Sequence, residues 1–338
     1  MKNSKRIFSL ILILIFSTYI FSCSNTKEVT AVSKLGQLSV NGVNIVAENG
    51  ETVQLAGMSL FWSQWIGKYY NYECVKWLKE DWKSSVVRAA LGIGRDGYNE
   101  HPEIEMAKIE SVIDAAIDLG IYVIVDFHSH NAENHLEEAK TFFNHISKKY
   151  GQYPNIIYEI YNEPLKVSWS EVIKPYSEEV IKVIRENDPD NIIVCGTPTW
   201  SQFVDEAAED PIVGENIAYT LHFYAGTHGK ELMERGDKAI EKGLCLFVTE
   251  YGTTEANGDG PVFETETTDW YNWMDMHKIS HCNWSIADKN ESSAALTENA
   301  NSIGGWSEEQ IKPSGKLVRM ELLKKHKQLF NINLENEN

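Results

Sequence analysis

Eight short apolar runs recur along the chain, each followed by a stretch whose apolar positions repeat every three or four residues. The runs are Val53–Met58, Val86–Leu91, Tyr122–Phe127, Ile156–Tyr161, Ile192–Cys195, Ile217–His222, Leu246–Thr249 and His281–Ser285. They are rich in β-branched and aromatic residues and nearly free of charge, the pattern of strands buried on both faces. Helical periodicity covers 73–82, 103–119, 132–150, 169–187, 201–209, 231–242 and 267–277, with 312–325 closing the series. Asp188-Pro189 supplies a stop for the fourth helix. Strands alternating with helices eight times over predict an α/β fold, a (β/α)8 TIM barrel rather than an open sheet. Ahead of them, Asn41-Gly42 and Asn49-Gly50 each separate β-type residues. That is the signature of a small N-terminal β-hairpin, expected to close the bottom of the barrel.

The first residues follow a different rule. Lys2, Lys5 and Arg6 precede an apolar run from Ile7 to Phe21, which breaks at Ser22-Cys23. A basic start, a short apolar core and a small residue before the break predict a signal peptide over 1–22, too short for a spanning helix. Ile20-Phe-Ser-Cys23 resembles a bacterial lipoprotein signal, in which Cys23 would become the lipidated first residue. The alternative is a plain secretory signal cut nearby. A polar tether over 23–33 and one barrel domain over 34–330 complete the expected organisation. The expected location is the cell envelope, periplasmic or at the cell surface.

Charge narrows the partners. The formal net charge is −18, and the rest of the chain is more acidic still once the three N-terminal cations are set aside. Nucleic acid and anionic membrane surfaces would repel such a body, so only a lipid anchor is expected to bring it to a membrane. Cys74, Cys195, Cys245 and Cys282 show no C-x-x-C pairing. They read as small buried core residues, and their spacing calls for neither a metal nor a disulfide.

A barrel places its chemistry at the carboxyl ends of the strands. Strand two carries Arg88, strand three ends in Asp126-Phe-His128, strand four in Asn162-Glu163, strand six in His222-Phe-Tyr224 and strand seven in Thr249-Glu250, while strand eight carries Trp284. Each has a structural explanation of its own, as an ion pair or a satisfied core side chain. Their convergence on one face does not. Glutamates on strands four and seven lie across the barrel mouth, and a carboxyl pair about 5 Å apart is the arrangement of a retaining glycosidase. Arg88 beside Glu250 would favour the ionised form there. Glu163, without such a cation, would keep its proton for the leaving oxygen.

These residues resemble those of family 5 of the glycoside hydrolases. The likeness rests on Ile-Tyr-Glu-Ile-Tyr-Asn-Glu-Pro164, Phe-Val-Thr-Glu-Tyr-Gly252, Val-Asp-Phe-His-Ser-His130, Leu-His-Phe-Tyr224 and Asn-Trp-Ser-Ile-Ala-Asp-Lys-Asn-Glu291. The last, with Gly57-Met-Ser and Gln64-Trp65, points to the cellulase branch, and the likeness runs from about Leu35 to Leu323. The resemblance implies Glu163 as acid/base and Glu250 as nucleophile, with no cofactor and no metal. It also implies Asn162 on the sugar 2-hydroxyl, Arg88 and Tyr224 holding Glu250, and His128 and His222 lining the cleavage subsite. Trp284 would form its floor. Lys289, Glu291 and Trp65 would meet the next sugar on the non-reducing side, and Trp200 the leaving-group side. Phe127 departs from the family, which usually has Trp there.

The implied activity is an endo-β-1,4-glucanase, monomeric in its catalytic domain and acting on soluble or amorphous β-glucan. β-Mannan, mixed-linkage glucan and xyloglucan are the alternative substrates. Two further readings come from other classes: a metal-dependent hydrolase built on His128, His130, His222 and Asp288, and a non-catalytic glycan-binding lipoprotein. The first leaves Asn162, Glu163 and Glu250 without a task, and the second leaves an intact carboxylate pair unexplained.

Overall fold

The computed structural model describes residues 28–332. The expected signal peptide and Cys23 lie outside that range. Eight parallel strands close on themselves: β3 (Ala56–Leu60), β4 (Val86–Gly92), β5 (Tyr122–His128), β6 (Ile156–Glu159), β7 (Ile193–Cys195), β8 (Ile217–Thr220), β10 (Leu246–Gly252) and β11 (Ser280–Ile286). Each pairs in parallel with the next, and β11 returns to β3, so the ring has no free edge. A two-residue strand β9 (Phe223–Tyr224) extends the line of β8 alongside β10. The (β/α)8 barrel read from the sequence is therefore the fold.

β1 (Ser39–Asn41) and β2 (Asn44–Val46) form the expected hairpin, pairing Asn41 with Asn44 across Gly42, whose φ of 60° suits a residue without a side chain. Leu35, Leu38, Ile45, Val53 and Leu55 then plug the barrel bottom, buried against inward-facing Tyr122, Ile124, Ile157, Val194 and Phe247. A second apolar layer lies between strands and helices. Full burial of each aliphatic side chain is worth roughly 1.5–3 kcal/mol, so these two layers hold the scaffold.

Several boundaries differ from the periodicity, for local reasons. Thr30 caps a short helix at Ala31–Leu35, so the folded unit reaches back into residues assigned to the tether. Val53 and Leu55 serve the plug, and β3 starts at Ala56. The helix expected over 169–187 opens as a π-turn (Trp169–Ile173) and becomes α-helical at Lys174–Arg185, because Pro175 has no N–H to offer the preceding turn. The helix expected from Ser201 begins at Val204; before it, Thr199, Trp200 and Ser201 lie in the left-handed region. Pro102–Leu119 and Pro313–Phe330 are the two longest helices, and no helix among the described residues is long and apolar enough to cross a membrane.

Phe127 points out of the barrel and packs on Phe142 and Phe143 of the Leu136–Tyr150 helix, with ring centroids 6.1 Å away in each case. Its difference from the family residue is thus a matter of packing behind the strand. Cys74, Cys195, Cys245 and Cys282 are free and buried.

Candidate active site

Alternation along a strand sends every second side chain inward. On β4 this turns Arg88 to the barrel axis, where it is fully buried. On β5 it turns Asp126 and His128 inward, and on β6 Glu159. On β10 strict alternation would admit only one of Thr249 and Glu250. Between Val248 and Tyr251 the register against β11 slips, a bulge that lets both face the axis.

Arg88 is the hub. Its guanidinium binds both oxygens of Glu159, at 2.7 and 3.1 Å, and reaches Asp126 Oδ2 at 3.0 Å and Glu250 Oε2 at 3.0 Å. It also donates to Asn162 Oδ1 at 2.6 Å, which leaves the Asn162 amide nitrogen as a donor. Tyr224 donates its hydroxyl to the other oxygen of Glu250 at 2.8 Å. His128 donates or accepts at Asp126 through Nδ1 at 2.6 Å. Burial and the Arg88 charge keep its ring well below the usual histidine range, hence neutral. That ring stacks on Trp284, centroids 5.0 Å apart and nearly parallel.

Glu163 sits across from Glu250: one oxygen of each lies within 4.8 Å of the other. Its surroundings contradict the expectation that no cationic group stands beside it. His130 Nε2 meets one carboxylate oxygen at 3.1 Å and His222 Nδ1 meets the other at 2.9 Å. Burial alone would raise Glu163, but the two imidazoles outweigh it and hold Glu163 near 2, while His222 rises to about 9 on its carboxylate partners. The contact between Glu163 Oε1 and His222 Nδ1 is thus one along which a single proton is shared. Glu250 runs the other way. Burial and the Glu163 charge raise it, against the lowering effects of His222, Arg88 and Tyr224. Arg88 thus acts in the expected direction without deciding the outcome.

The Glu163–Glu250 pair opens into a cleft of ≈ 360 Å³ bounded by Phe61, Trp62, Trp65, Trp284 and the Lys289–Glu291 ion pair. On the other side of Glu163 lies a recess of ≈ 270 Å³ lined by Trp200, Gln202, His222 and His228. Glu163 and Tyr224 border both spaces. Trp65 is 57 % exposed and Trp200 37 %, unusual for rings that size and fitting for platforms that wait for a partner. Sugar faces present apolar C–H groups to such rings. The left-handed turn at Thr199–Ser201 sets Trp200 at the rim, with its backbone N–H on Pro164 O at 2.8 Å. All ten expected cleft residues border these two spaces or touch the pair directly. Asp288 of the metal reading does not: it pairs with Lys68.

Sequence reasoning left four neighbours of the pair without a role there. Glu159 and Asp126 are the acids that hold Arg88; Asp126 was read only as part of a polar strand end, and an acid within an otherwise apolar strand was the signal for Glu159. Trp62 joins the cleft wall, its ring edge-on to His128 at 4.1 Å. His130 was read only as a metal candidate.

Comparison with known proteins agrees with this geometry. The profile described as Cellulase (glycosyl hydrolase family 5) matches residues 46–290. Endoglucanase Z of Dickeya dadantii is 55 % identical over 259 residues, covering 75 % of this chain and 60 % of its own length. Endoglucanase A of Evansella cellulosilytica is 50 % identical over 275 residues, covering 80 % and 56 % respectively. The chain thus spans less than two thirds of the length of both. Among solved structures, the catalytic domain of Thermobifida fusca endoglucanase Cel5A in complex with cellotetraose superposes with a TM-score of 0.84 at 35 % identity, over 87 % of this chain and 99 % of that one. On the profile match and these identities, the chain belongs to glycosyl hydrolase family 5, the cellulase family.

Proposed function

We propose that this chain is a retaining endo-β-1,4-glucanase that cleaves internal bonds of soluble or amorphous β-glucan. The observation that carries the reading is the Glu163–Glu250 pair, with oxygens within 4.8 Å of each other at the junction of two sugar-sized spaces. That spacing leaves no room for a water between carboxylate and anomeric carbon, so the carboxylate itself attacks.

In the first step a Glu250 oxygen bonds to the anomeric carbon as the glycosidic C–O bond breaks. The departing oxygen takes the proton supplied through Glu163. Positive charge grows on the sugar ring beside the Glu250 carboxylate, which Arg88 and Tyr224 hold in place, and is stabilised there. In the second step Glu163, now a carboxylate, draws a proton from water, which displaces Glu250. Asn162 would donate to the 2-hydroxyl in both steps. Apart from that water, every group the reaction needs is then a side chain of this protein, and no metal has a task in it.

The endoglucanases among the relatives and the cellotetraose bound by the Thermobifida fusca enzyme support glucan as substrate. Incubation with carboxymethylcellulose, mixed-linkage glucan, xyloglucan and β-mannan, with product sizing, tests it. The expected result is a fast fall in viscosity and short oligosaccharides from carboxymethylcellulose, unchanged by EDTA. Release of products from mannan alone would transfer the specificity, and activity lost to EDTA and restored by zinc would overturn the mechanism.

Export with a lipid anchor at Cys23 belongs to the same reading, supported by the basic and apolar start of the sequence. A multiply acylated cysteine anchors stably where one chain alone does not. Cys23→Ser is expected to move the protein from membrane to soluble fractions with specific activity unchanged; a wild-type protein already in the soluble fraction would contradict the anchor.

A further inference from the structure

Behind Glu163 the hydrogen bonds continue in a single line away from solvent. Glu163 Oε1 meets His222 Nδ1 at 2.9 Å, His222 Nε2 meets Thr249 Oγ1 at 2.9 Å, and Thr249 Oγ1 meets Glu159 Oε1 at 2.7 Å. Thr249 and Glu159 are fully buried and His222 nearly so. Alternation from inward-facing Phe247 brings Thr249 to the axis, and the bulge on β10 turns Glu250 in beside it.

The chemistry of each partner fixes who donates. Arg88 grips both oxygens of Glu159, which holds it as a carboxylate against its burial, and a carboxylate only accepts. Thr249 has one hydroxyl proton, and it goes to Glu159. The Thr249 oxygen is then left to accept, from the Thr220 hydroxyl and from His222. His222 Nε2 must therefore carry a hydrogen. Only Nδ1 faces Glu163, and one proton can sit on either side of that contact.

We propose that Thr249, anchored by Glu159, fixes His222 in the tautomer protonated at Nε2 and thereby reserves His222 Nδ1 as the acceptor for the acid proton of Glu163. Thr249 and Glu159 are positioning residues, since they act on the proton through His222. The inference rests on Glu163 being the acid/base. The opposite neutral tautomer would donate from Nδ1 and stabilise only the Glu163 carboxylate, leaving no acid for the departing oxygen. With Nε2 fixed, the proton that reaches the leaving oxygen comes from Glu163, and the attacking water returns it.

The first test needs no substitution in the network. In the full chain labelled with 15N-histidine, the His222 resonances are assigned by their loss in His222→Asn. Nε2 should stay protonated at every pH at which the protein is folded, with Nδ1 alone titrating. A neutral form with hydrogen on Nδ1 would overturn the proposal.

Kinetics give the second test. Thr249→Val should slow hydrolysis of phenyl β-cellobioside, whose poor leaving group needs acid help, by about 10–100-fold, the usual effect of removing an orienting partner. Hydrolysis of 2,4-dinitrophenyl β-cellobioside, which needs none, should be nearly unchanged, and Thr249→Ser should restore the phenyl substrate. Equal losses on both substrates would reduce Thr249 to a packing role. Glu163→Ala on the same two substrates keeps the failures apart. If it shows the leaving-group difference and Thr249→Val does not, only the tautomer proposal falls; if it shows none, the acid/base assignment falls and the proposal with it.

Discussion

Glu250→Ala is expected to lower kcat on carboxymethylcellulose by about 10⁴-fold or more, the scale of losing a covalent nucleophile. The fold should survive, because the substitution removes one of three carboxylates crowded on a single guanidinium. Arg88 keeps Glu159 and Asp126 as partners. Stability in urea should therefore change little. The space vacated beside Tyr224 and Arg88 can admit a small anion. With Glu250→Gly, azide should enter from the face opposite the leaving group and yield the inverted glycosyl azide from an activated β-cellobioside. A Glu250→Ala enzyme that keeps near-wild-type turnover would show that another residue attacks.

Arg88→Ala should do the reverse, with its largest effect on the fold. Removing the hub leaves Asp126, Glu159 and Glu250 buried without their cation, and breaking a buried ion pair from one side costs about 3–5 kcal/mol. Urea unfolding should show a lower midpoint with an unchanged slope. Arg88→Lys should recover part of this, since an ammonium cannot grip two oxygens of Glu159 and one each of Asp126 and Glu250 together. The pH profile of that folded variant carries a signed prediction. Glu250 must be ionised to attack, so activity is lost as pH falls through its pKa. Arg88 lowers that pKa, and weakening the contact raises it. The acid limb of kcat/KM should then move to higher pH. An Arg88→Ala protein as stable as wild type would mean that the buried acids take up protons when the cation leaves.

The fold was legible because eight apolar runs and their turn residues repeat a simple unit. Both glutamates were legible because polar residues interrupt those runs where a barrel opens to solvent. Glu159 was hidden by the same rule, since strands buried on both faces do not reveal which residues face the axis. The bulge that turns Thr249 and Glu250 inward together leaves no composition signal. Ser201 read as the start of a helix because the left-handed geometry of Thr199, Trp200 and Ser201 accompanies contacts with Pro164 and Leu165, distant in sequence. The environment of Glu163 was misjudged for a similar reason. His130 and His222 come from different strand ends and meet only in three dimensions.

Double displacement at a close carboxylate pair stands or falls with the stereochemistry of the first-formed product. Proton NMR, recorded as hydrolysis of cellotetraose or a longer oligosaccharide begins, reads that anomer before mutarotation blurs it. Attack by Glu250 followed by water predicts that the β anomer appears first and the α anomer grows in later. An initial α anomer would mean a single displacement by water, and the roles given to Glu163 and Glu250 would be wrong.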